Sequence, residues 1–266
     1  MAKGRLRLDQ LLLDRGFFSD SKLAQAWILA GKVVVEGKVV SAAGTAVRSD
    51  AAVHVRDLPE KFASRGGFKL EAALTRFAVD VRGLTVLDAG ASTGGFTDCL
   101  LSQGAAKVYA VDVGYGQLRG KLAADPRVVS MEKTNISDIP LAALQPAIDL
   151  CVFDLSYLSF ASAIDILRGY FERPVHLIGL IKPMYEGIAQ EAMRDETVLR
   201  GVLGKVVRDI AEKGLVVTRL ISSPIAGGMG AFEFLAEIEP NGTSVSEAEL
   251  DLAIAEVPRT APAPES

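Results

Sequence analysis

Along the first fifty-odd residues, apolar positions recur at helical spacing and then at strand spacing. Leu8, Leu11, Leu12 and Leu13 form one stripe before Gly16; Leu23, Ala24, Trp27 and Ile28 form a second before Gly31, with Ser19 placed to cap that helix. The run V-V-V-E-G-K-V-V has two β-branched halves about a turn at Glu36 to Lys38, which predicts a hairpin, and V-H-V at 53–55 predicts a further strand. R-D-L-P-E-K-F-A-S-R-G-G at 56–67 carries a proline, charges and a glycine pair, and reads as a linker approaching a helix at 68–77. The period then alternates: strand 84–88, helix 95–103, strand 107–113, strand 148–154, helix 159–171, strand 175–181, helix 191–213, with the stretch from 114 to 146 less defined. Such alternation implies parallel βαβ units, a twisted central sheet and helices on both faces. Two final β-rich runs, 215–222 and 232–239, joined by P-I-A-G-G-M-G-A, predict an antiparallel hairpin that closes the sheet. The expected division is a module at 1–58, a linker at 59–67, a main domain at 68–242 and a disordered tail at 257–266.

At 266 residues the chain suits a main domain plus a small one. Its apolar runs are all broken by charge before they reach the length of a membrane span, and the N-terminal stretch lacks the apolar core of a signal peptide, so a cytoplasmic protein is expected. Cys99 and Cys151 stand apart in apolar surroundings and read as buried thiols. His54 and His176 are isolated, His176 within V-H-L-I-G-L-I, where a satisfied core histidine is expected rather than a ligand; no metal site is expected. The net charge of −4 is unevenly spread: residues 1–69 hold twelve lysines and arginines against seven acids, an excess of five, which leaves −9 on the rest. A basic front end on an acidic body fits an RNA-facing arrangement, and equally a solvated surface.

The segment from Val86 to Gly95, V-L-D-A-G-A-S-T-G-G, joins an apolar strand to a glycine-rich turn that opens a helix with F-T-D-C-L-L. Glycines at 90, 94 and 95 would admit close approach of a ligand to backbone, and Asp112, which follows the apolar run 108–111, could take two ribose hydroxyls. Asp88 stands just before the turn, where a dinucleotide's pyrophosphate would meet repulsion. A phosphate-free adenosyl ligand with an ammonium suits it better, which points to S-adenosylmethionine held by Asp88, Gly90, Ser92, Gly94, Gly95, Phe96 and Asp112. A glycine turn with another ligand, or with none, stays open on this segment alone.

In open α/β sheets ligands sit beyond the carboxyl ends of the strands. Asp154 ends D-L-C-V-F-D-L-S, Lys182 ends H-L-I-G-L-I-K-P, Glu233 opens the last strand and Lys69 follows S-R-G-G-F. Each alone reads as readily as a strand-end cation or a capping carboxylate. Methyl transfer from a sulfonium to a hydroxyl would need such groups, because a hydroxyl is a poor nucleophile until its proton is polarised or removed, whereas the sulfonium loses its methyl readily. A lysine can take that proton only where desolvation and neighbouring cations favour its neutral form; carboxylates oppose this and orient the lysines instead.

Two resemblances follow from these motifs. The front segment, R-L-D-Q-L-L, S-D-S-K-L-A and G-K-V-V-V-E-G-K-V-V, resembles the ribosomal-protein-S-four-type RNA-binding module, with Asp20 in place of the usual arginine and Glu36 in place of the usual asparagine. Both departures add negative charge, so RNA contact would fall to Arg5, Arg7, Lys22, Lys32 and Lys38. The order S-R-G-G-F-K-L, D-A-G-A-S-T-G-G-F, F-D-L-S-Y-L-S, I-K-P-M-Y-E and G-A-F-E-F-L resembles the TlyA family of rRNA methyltransferases, in the FtsJ-like class, over nearly the whole chain. The resemblance implies a Rossmann-like S-adenosylmethionine methyltransferase sheet in an α/β fold, and a small N-terminal α+β RNA-binding domain. It further implies 2′-O-methylation of cytidine in ribosomal RNA by a tetrad of Lys69, Asp154, Lys182 and Glu233. Its partners would be ribosomal RNA or ribosomal subunits, with neither membrane nor DNA expected. Two other readings stand beside it: a cofactor-binding assembly factor without turnover, and a membrane-active factor, since members of this family have carried haemolysin labels.

Overall fold

A computed structural model describes residues 5–14, 17–18, 20–49, 51–56, 61–171, 176–227 and 230–257. The described residues form two compact units, one within 1–60 and one within 61–257.

In the first unit, strand β1 (Arg5–Arg7) leads into α1 (Leu8–Asp14), then α2 (Ser21–Leu29), β2 (Val33–Val35), β3 (Lys38–Val39), β4 (Ala46–Arg48) and β5 (Val53–Val55). β1 pairs with β4, and β3, β2 and β5 form a second small sheet. The predicted stripes bury Leu8, Leu11, Leu12, Ala24 and Ile28 against Val33, Val35 and Val55. Asp20, rather than Ser19, caps α2: its carboxylate accepts from the backbone N–H groups of Lys22 and Leu23. Ser19 lies outside the described residues. The hairpin turn is Glu36–Gly37, both with positive φ, 49° and 76°, the geometry that favours asparagine and glycine. Glu36 is held there by Ala52, whose N–H donates to Glu36 Oε1 at 2.9 Å and whose carbonyl accepts from Glu36 N–H at 2.8 Å. Both acidic departures from the RNA-module pattern thus do local structural work.

The second unit is a seven-stranded sheet. Its elements are α3 (Gly66–Arg76), β6 (Thr85–Ala89), α4 (Gly95–Ser102), β7 (Lys107–Val111), α5 (Gly120–Ala123), β8 (Val128–Met131), β9 (Leu150–Phe153), α6 (Phe160–Leu167), β10 (His176–Ile181), α7 (Glu196–Glu212), β11 (Val216–Ser222), β12 (Phe234–Glu239) and α8 (Glu247–Ala255). The strand order is β11-β12-β10-β9-β6-β7-β8. All pairings from β10 to β8 are parallel, while β12 runs antiparallel to both β10 and β11, as the terminal hairpin predicted. Strand side chains alternate between two cores. Leu87, Tyr109, Phe153, Leu177 and Phe234 pack with α6, α7 and α8, whereas Val86, Val108, Val152, Ile178 and Leu235 pack with α3 and α4.

Three boundaries differ from expectation. Phe62 and Ala63 are buried in the core beneath α3, so the described part of 59–67 belongs to the main unit rather than to a linker. The loosely defined stretch from 114 to 146 contains α5 and the edge strand β8. Beyond 242, α8 opens with a capping box at Ser246 and Glu249 and buries Leu250, Ala253 and Ile254, so the main unit does not end at 242. Val257 is buried at the end of that core, and 258–266 lie outside the described residues.

Candidate active site at the carboxyl edge of the sheet

Four strand ends and one helix converge here because their packing leaves them no alternative. Gly179 of β10 pairs with Phe153 of β9, and the Phe153 ring fills the space that a Cβ at 179 would need. The same ring packs at a tilt against Phe160 with centroids 5.0 Å apart, so the ends of β9 and β10 are fixed against the start of α6. Asp154 and Lys182, the next residues of those two strands, therefore face each other: Lys182 Nζ lies 2.5 Å from Asp154 Oδ1 and donates to Ser156 Oγ at 2.7 Å. On the neighbouring side, α3 approaches α4 closely because both are glycine at the contact. A Cβ at Gly95 would strike Ser64 Oγ and the Gly67 nitrogen, and one at Gly67 would strike the Phe62 ring. This seats Lys69, whose Nζ lies 2.6 Å from Glu233 Oε2.

The tetrad thus comes together as two ion pairs from distant parts of the chain. Lys69 and Glu233 are nearly shut from solvent, at 11% and 6% side-chain exposure, while Lys182 and Asp154 keep 14% and 22%. In both pairs the contacted carboxylate oxygen is within ion-pair distance yet off the line of a hydrogen bond. Burial pushes the Glu233 carboxyl up, with Lys69 pulling it back and with Asp154 and Lys182 each acting on it, so the two pairs lie within electrostatic reach of one another.

The glycine turn adjoins this cluster. Asp88, next to last in β6, is fully buried; Thr97 Oγ1 donates to its Oδ2 at 2.6 Å, and its Oδ1 has no partner. Burial raises this carboxyl to about 7, and the Asp154 and Asp112 charges add to the effect. An orphaned, electron-rich oxygen at this point fits a ligand ammonium. Asp112 follows β7 and clamps the turn: Ser92 N–H donates to its Oδ2 at 2.8 Å and Gly114 N–H to its Oδ1 at 2.7 Å, with acceptor capacity left on each oxygen. Ser92 itself has φ 47°. Phe96 is buried on the first turn of α4. The residues present therefore fit S-adenosylmethionine: Asp88 would face its ammonium and Asp112 its ribose.

The reason expected for the glycines needs correcting. A Cβ at Gly90 would meet the Asp154 carbonyl, and one at Gly94 would meet Leu122 and Leu118. The chain's own packing, not only a ligand, requires glycine at these positions.

Several residues that sequence reasoning passed over belong to the site. Ser156, two after Asp154 in F-D-L-S, holds Lys182; Thr97 holds Asp88; Glu132 accepts from the backbone N–H groups of Gly116, Gln117 and Leu118, which shapes the loop after Asp112. The only signal available for Ser156 was its place beside a strand-end acid.

Elsewhere, His176 Nε2 lies 2.7 Å from Glu237 Oε1, as a satisfied histidine should. Glu239 completes a group that could hold a metal ion, but Glu237 is already engaged by Thr218 and Arg219 as well. Both cysteines are buried and free, and burial pushes the Cys99 thiol up to about 12. In the first unit, Arg7 forms a two-point contact with Asp9, at 3.0 and 2.7 Å, and Arg5, Lys22 and Lys38 are exposed on β1, α2 and β3, with Lys32 half-buried 4.8 Å over the Trp27 ring.

A parallel sheet closed by an antiparallel strand between its last two neighbours, with acids at the ends of the first two strands around a glycine turn, defines a Rossmann-like S-adenosylmethionine-dependent methyltransferase. Comparison with known proteins agrees: residues 62–235 match the FtsJ-like methyltransferase family and residues 6–53 the S4 domain. The chain is 39% identical to the 16S/23S rRNA (cytidine-2′-O)-methyltransferase TlyA of Mycobacterium tuberculosis over 86% of this chain and 88% of that one. It is 37% identical to Hemolysin A of Brachyspira hyodysenteriae, over 87% and 98%. A solved structure from Streptococcus thermophilus, provisionally named a hemolysin, superposes with a TM-score of 0.70 at 31% identity, covering 96% of each chain. The chain belongs to the TlyA family of FtsJ-like methyltransferases.

Proposed function

We propose that the protein transfers a methyl group from S-adenosylmethionine to the 2′-hydroxyl of cytidine in ribosomal RNA. The observation that carries this reading is the assembly of Lys69, Asp154, Lys182 and Glu233 beside the orphaned Asp88 carboxylate, in a chain whose relatives include a cytidine-2′-O-methyltransferase. When bound, the cofactor supplies an electrophilic methyl. Lys182 Nζ orients the acceptor hydroxyl and, entering the step as the neutral amine, takes its proton as the oxygen bonds to the methyl carbon and the methyl–sulfur bond breaks, with Asp154 and Ser156 fixing that amine in place. Lys69 and Glu233 form the opposite wall and confine the ribose. Holding the reacting atoms in line contributes much of the rate, because positioning alone can be worth on the order of 7–11 kcal/mol.

The first unit, matched as an S4 domain, supplies RNA affinity through Arg5, Arg7, Lys22, Lys32 and Lys38. The substrate is ribosomal RNA, naked or within a subunit, and the protein works in the cytoplasm where that RNA is made. Among the described residues no helix is long and apolar enough to cross a membrane.

Label transfer from radioactive S-adenosylmethionine to ribosomal subunits and to naked ribosomal RNA tests the reading. A ribose 2′-O-methyl blocks alkaline cleavage of the adjoining phosphodiester, so the label should appear in alkali-resistant dinucleotides. Label confined to mononucleotides would place the methyl on a base and overturn the proposal.

A further inference from the structure

The segment I-K-P-M-Y-E contains a second charged residue beside Lys182, and the methyl-transfer reading gives it no task. Glu186 ends the short 3-10 turn Pro183–Glu186 that follows Lys182. Its Oε1 accepts from the Phe160 N–H at 2.6 Å, and its Oε2 is buried without a hydrogen-bond partner. Phe160 is the first residue of α6, so Glu186 satisfies one of the helix's otherwise unpaired N–H groups, and it does so from another strand end. Ser159 already caps the same helix locally through the Ser162 N–H.

Two links therefore join the same two segments in opposite senses. Lys182 reaches from the β10 end to Asp154 and Ser156 after β9, while Phe160, further along that same loop, reaches back to Glu186. Together they close a ring: Asp154 to Phe160 along one segment, across to Glu186, back along the turn to Lys182 and across to Asp154. Between the two ties lies a small cavity lined by Phe153, Leu155, Leu158, Phe160, Tyr185 and Glu186, so apolar side chains pack beside Lys182 inside the ring. Lys182 Nζ is tied at two points, Asp154 and Ser156, but both lie on the segment after β9, so where the amine stands depends on how that segment is set against the β10 turn. The bond from the Phe160 N–H to Glu186 fixes that setting.

We infer that Glu186 is a positioning residue for methyl transfer: by tying the β10 turn to the first turn of α6 it sets where Lys182 Nζ stands relative to the acceptor hydroxyl. The inference rests on the proposed methyltransferase reading. Displacements of about 1 Å in such a group cost about a hundredfold in rate, which sets the expected scale.

The test compares Glu186→Ala, Glu186→Gln and Ser159→Ala with the wild type in single-turnover methyl transfer to ribosomal RNA, at saturating cofactor and RNA, with both affinities and thermal unfolding measured alongside. Glu186→Ala should slow transfer by about ten- to a hundredfold, with cofactor and RNA affinities within about twofold. Glu186→Gln keeps an oxygen acceptor for Phe160 and should restore most of the rate. Ser159→Ala weakens the same helix end without cutting the tie, and should transfer at the wild-type rate even where its unfolding temperature falls. The inference is overturned if folded Glu186→Ala transfers normally, if its loss lies in affinity, if Gln fails to rescue, or if Ser159→Ala slows transfer equally. A wild-type protein that transfers no methyl would instead overturn the methyltransferase reading itself.

Discussion

Replacing Asp88 by asparagine isolates the electrostatic cost built into the cofactor cradle. In the unfolded chain this carboxyl titrates near its ordinary 3.8; in the folded protein burial moves it to about 7. Between those values the folded state holds the extra proton, so stability falls as pH rises through this window. The stabilisation is complete below about 3.8 and gone once pH passes about 7. At about 1.4 kcal/mol per pH unit, the full change for this one group is of order 4 kcal/mol. An asparagine side chain cannot titrate but can still accept from Thr97, so that component of the pH dependence should vanish. Denaturant unfolding of the cofactor-free protein from about pH 4 to 8 measures it: the wild type should lose several kcal/mol relative to Asp88→Asn across the range, whatever the absolute offset between them. The same substitution should weaken S-adenosylmethionine binding, because the partner of the ammonium is gone. Parallel pH profiles for the two proteins would refute the assignment of a buried, proton-retaining carboxyl at 88 in the cofactor-free protein.

Other consequences are as direct. Lys182→Ala should lower single-turnover transfer by about 10²–10⁴-fold while cofactor and RNA affinities hold, and Lys182→Arg should fail as well because a guanidinium does not take a proton; an arginine variant near the wild-type rate would reduce Lys182 to a strand-end cation. Gly90→Ala should destabilise the fold by about 3 kcal/mol or more, since its Cβ meets the Asp154 carbonyl at φ 90°, and thermal unfolding reads this without any cofactor. Deleting residues 1–58 should leave cofactor affinity intact but reduce transfer to RNA by about 10²–10⁴-fold, the contribution expected of a linked second binding module; full-rate transfer to the same nucleotide by the truncated protein would refute the division of labour.

Much of this site can be read from the chain because strand-end chemistry follows from local pattern. The apolar runs before Asp88, Asp112, Asp154 and Lys182 each become a parallel strand of the sheet, and parallel strands must deliver their last residues to one edge. Lys69 and Glu233 stood out in the sequence as charges among apolar neighbours, but only the family pattern joined them to the other two, since one comes from a helix and the other from a loop before an antiparallel strand. The strand β8 escaped notice because a four-residue edge strand, V-V-S-M, is only half buried and lacks a strong alternation. α8 carried its signal in plain view, the S-E-A-E capping box at 246–249, but an acidic run beside a proline-rich tail drowned its apolar face. The glycines show a different limit. Sequence marks where a Cβ is forbidden, but only three dimensions tell whether the forbidding neighbour is a ligand or, as at Gly90 and Gly94, the protein itself. Ser156 and Glu186 were hidden for the same reason: each acts across from one strand end to the next, at a distance set by sheet order rather than by spacing.

A cluster that methylates a cytidine 2′-hydroxyl in ribosomal RNA leaves a product that can be identified by mass. Nucleoside mass spectrometry of ribosomal RNA, incubated with the protein and S-adenosylmethionine carrying a deuterated methyl, tests the proposed activity most directly. Deuterated 2′-O-methylcytidine is expected with the wild type and none with Lys182→Ala. A deuterated base-methylated nucleoside, a different 2′-O-methylated nucleoside, or equal product from the Lys182 variant would contradict it.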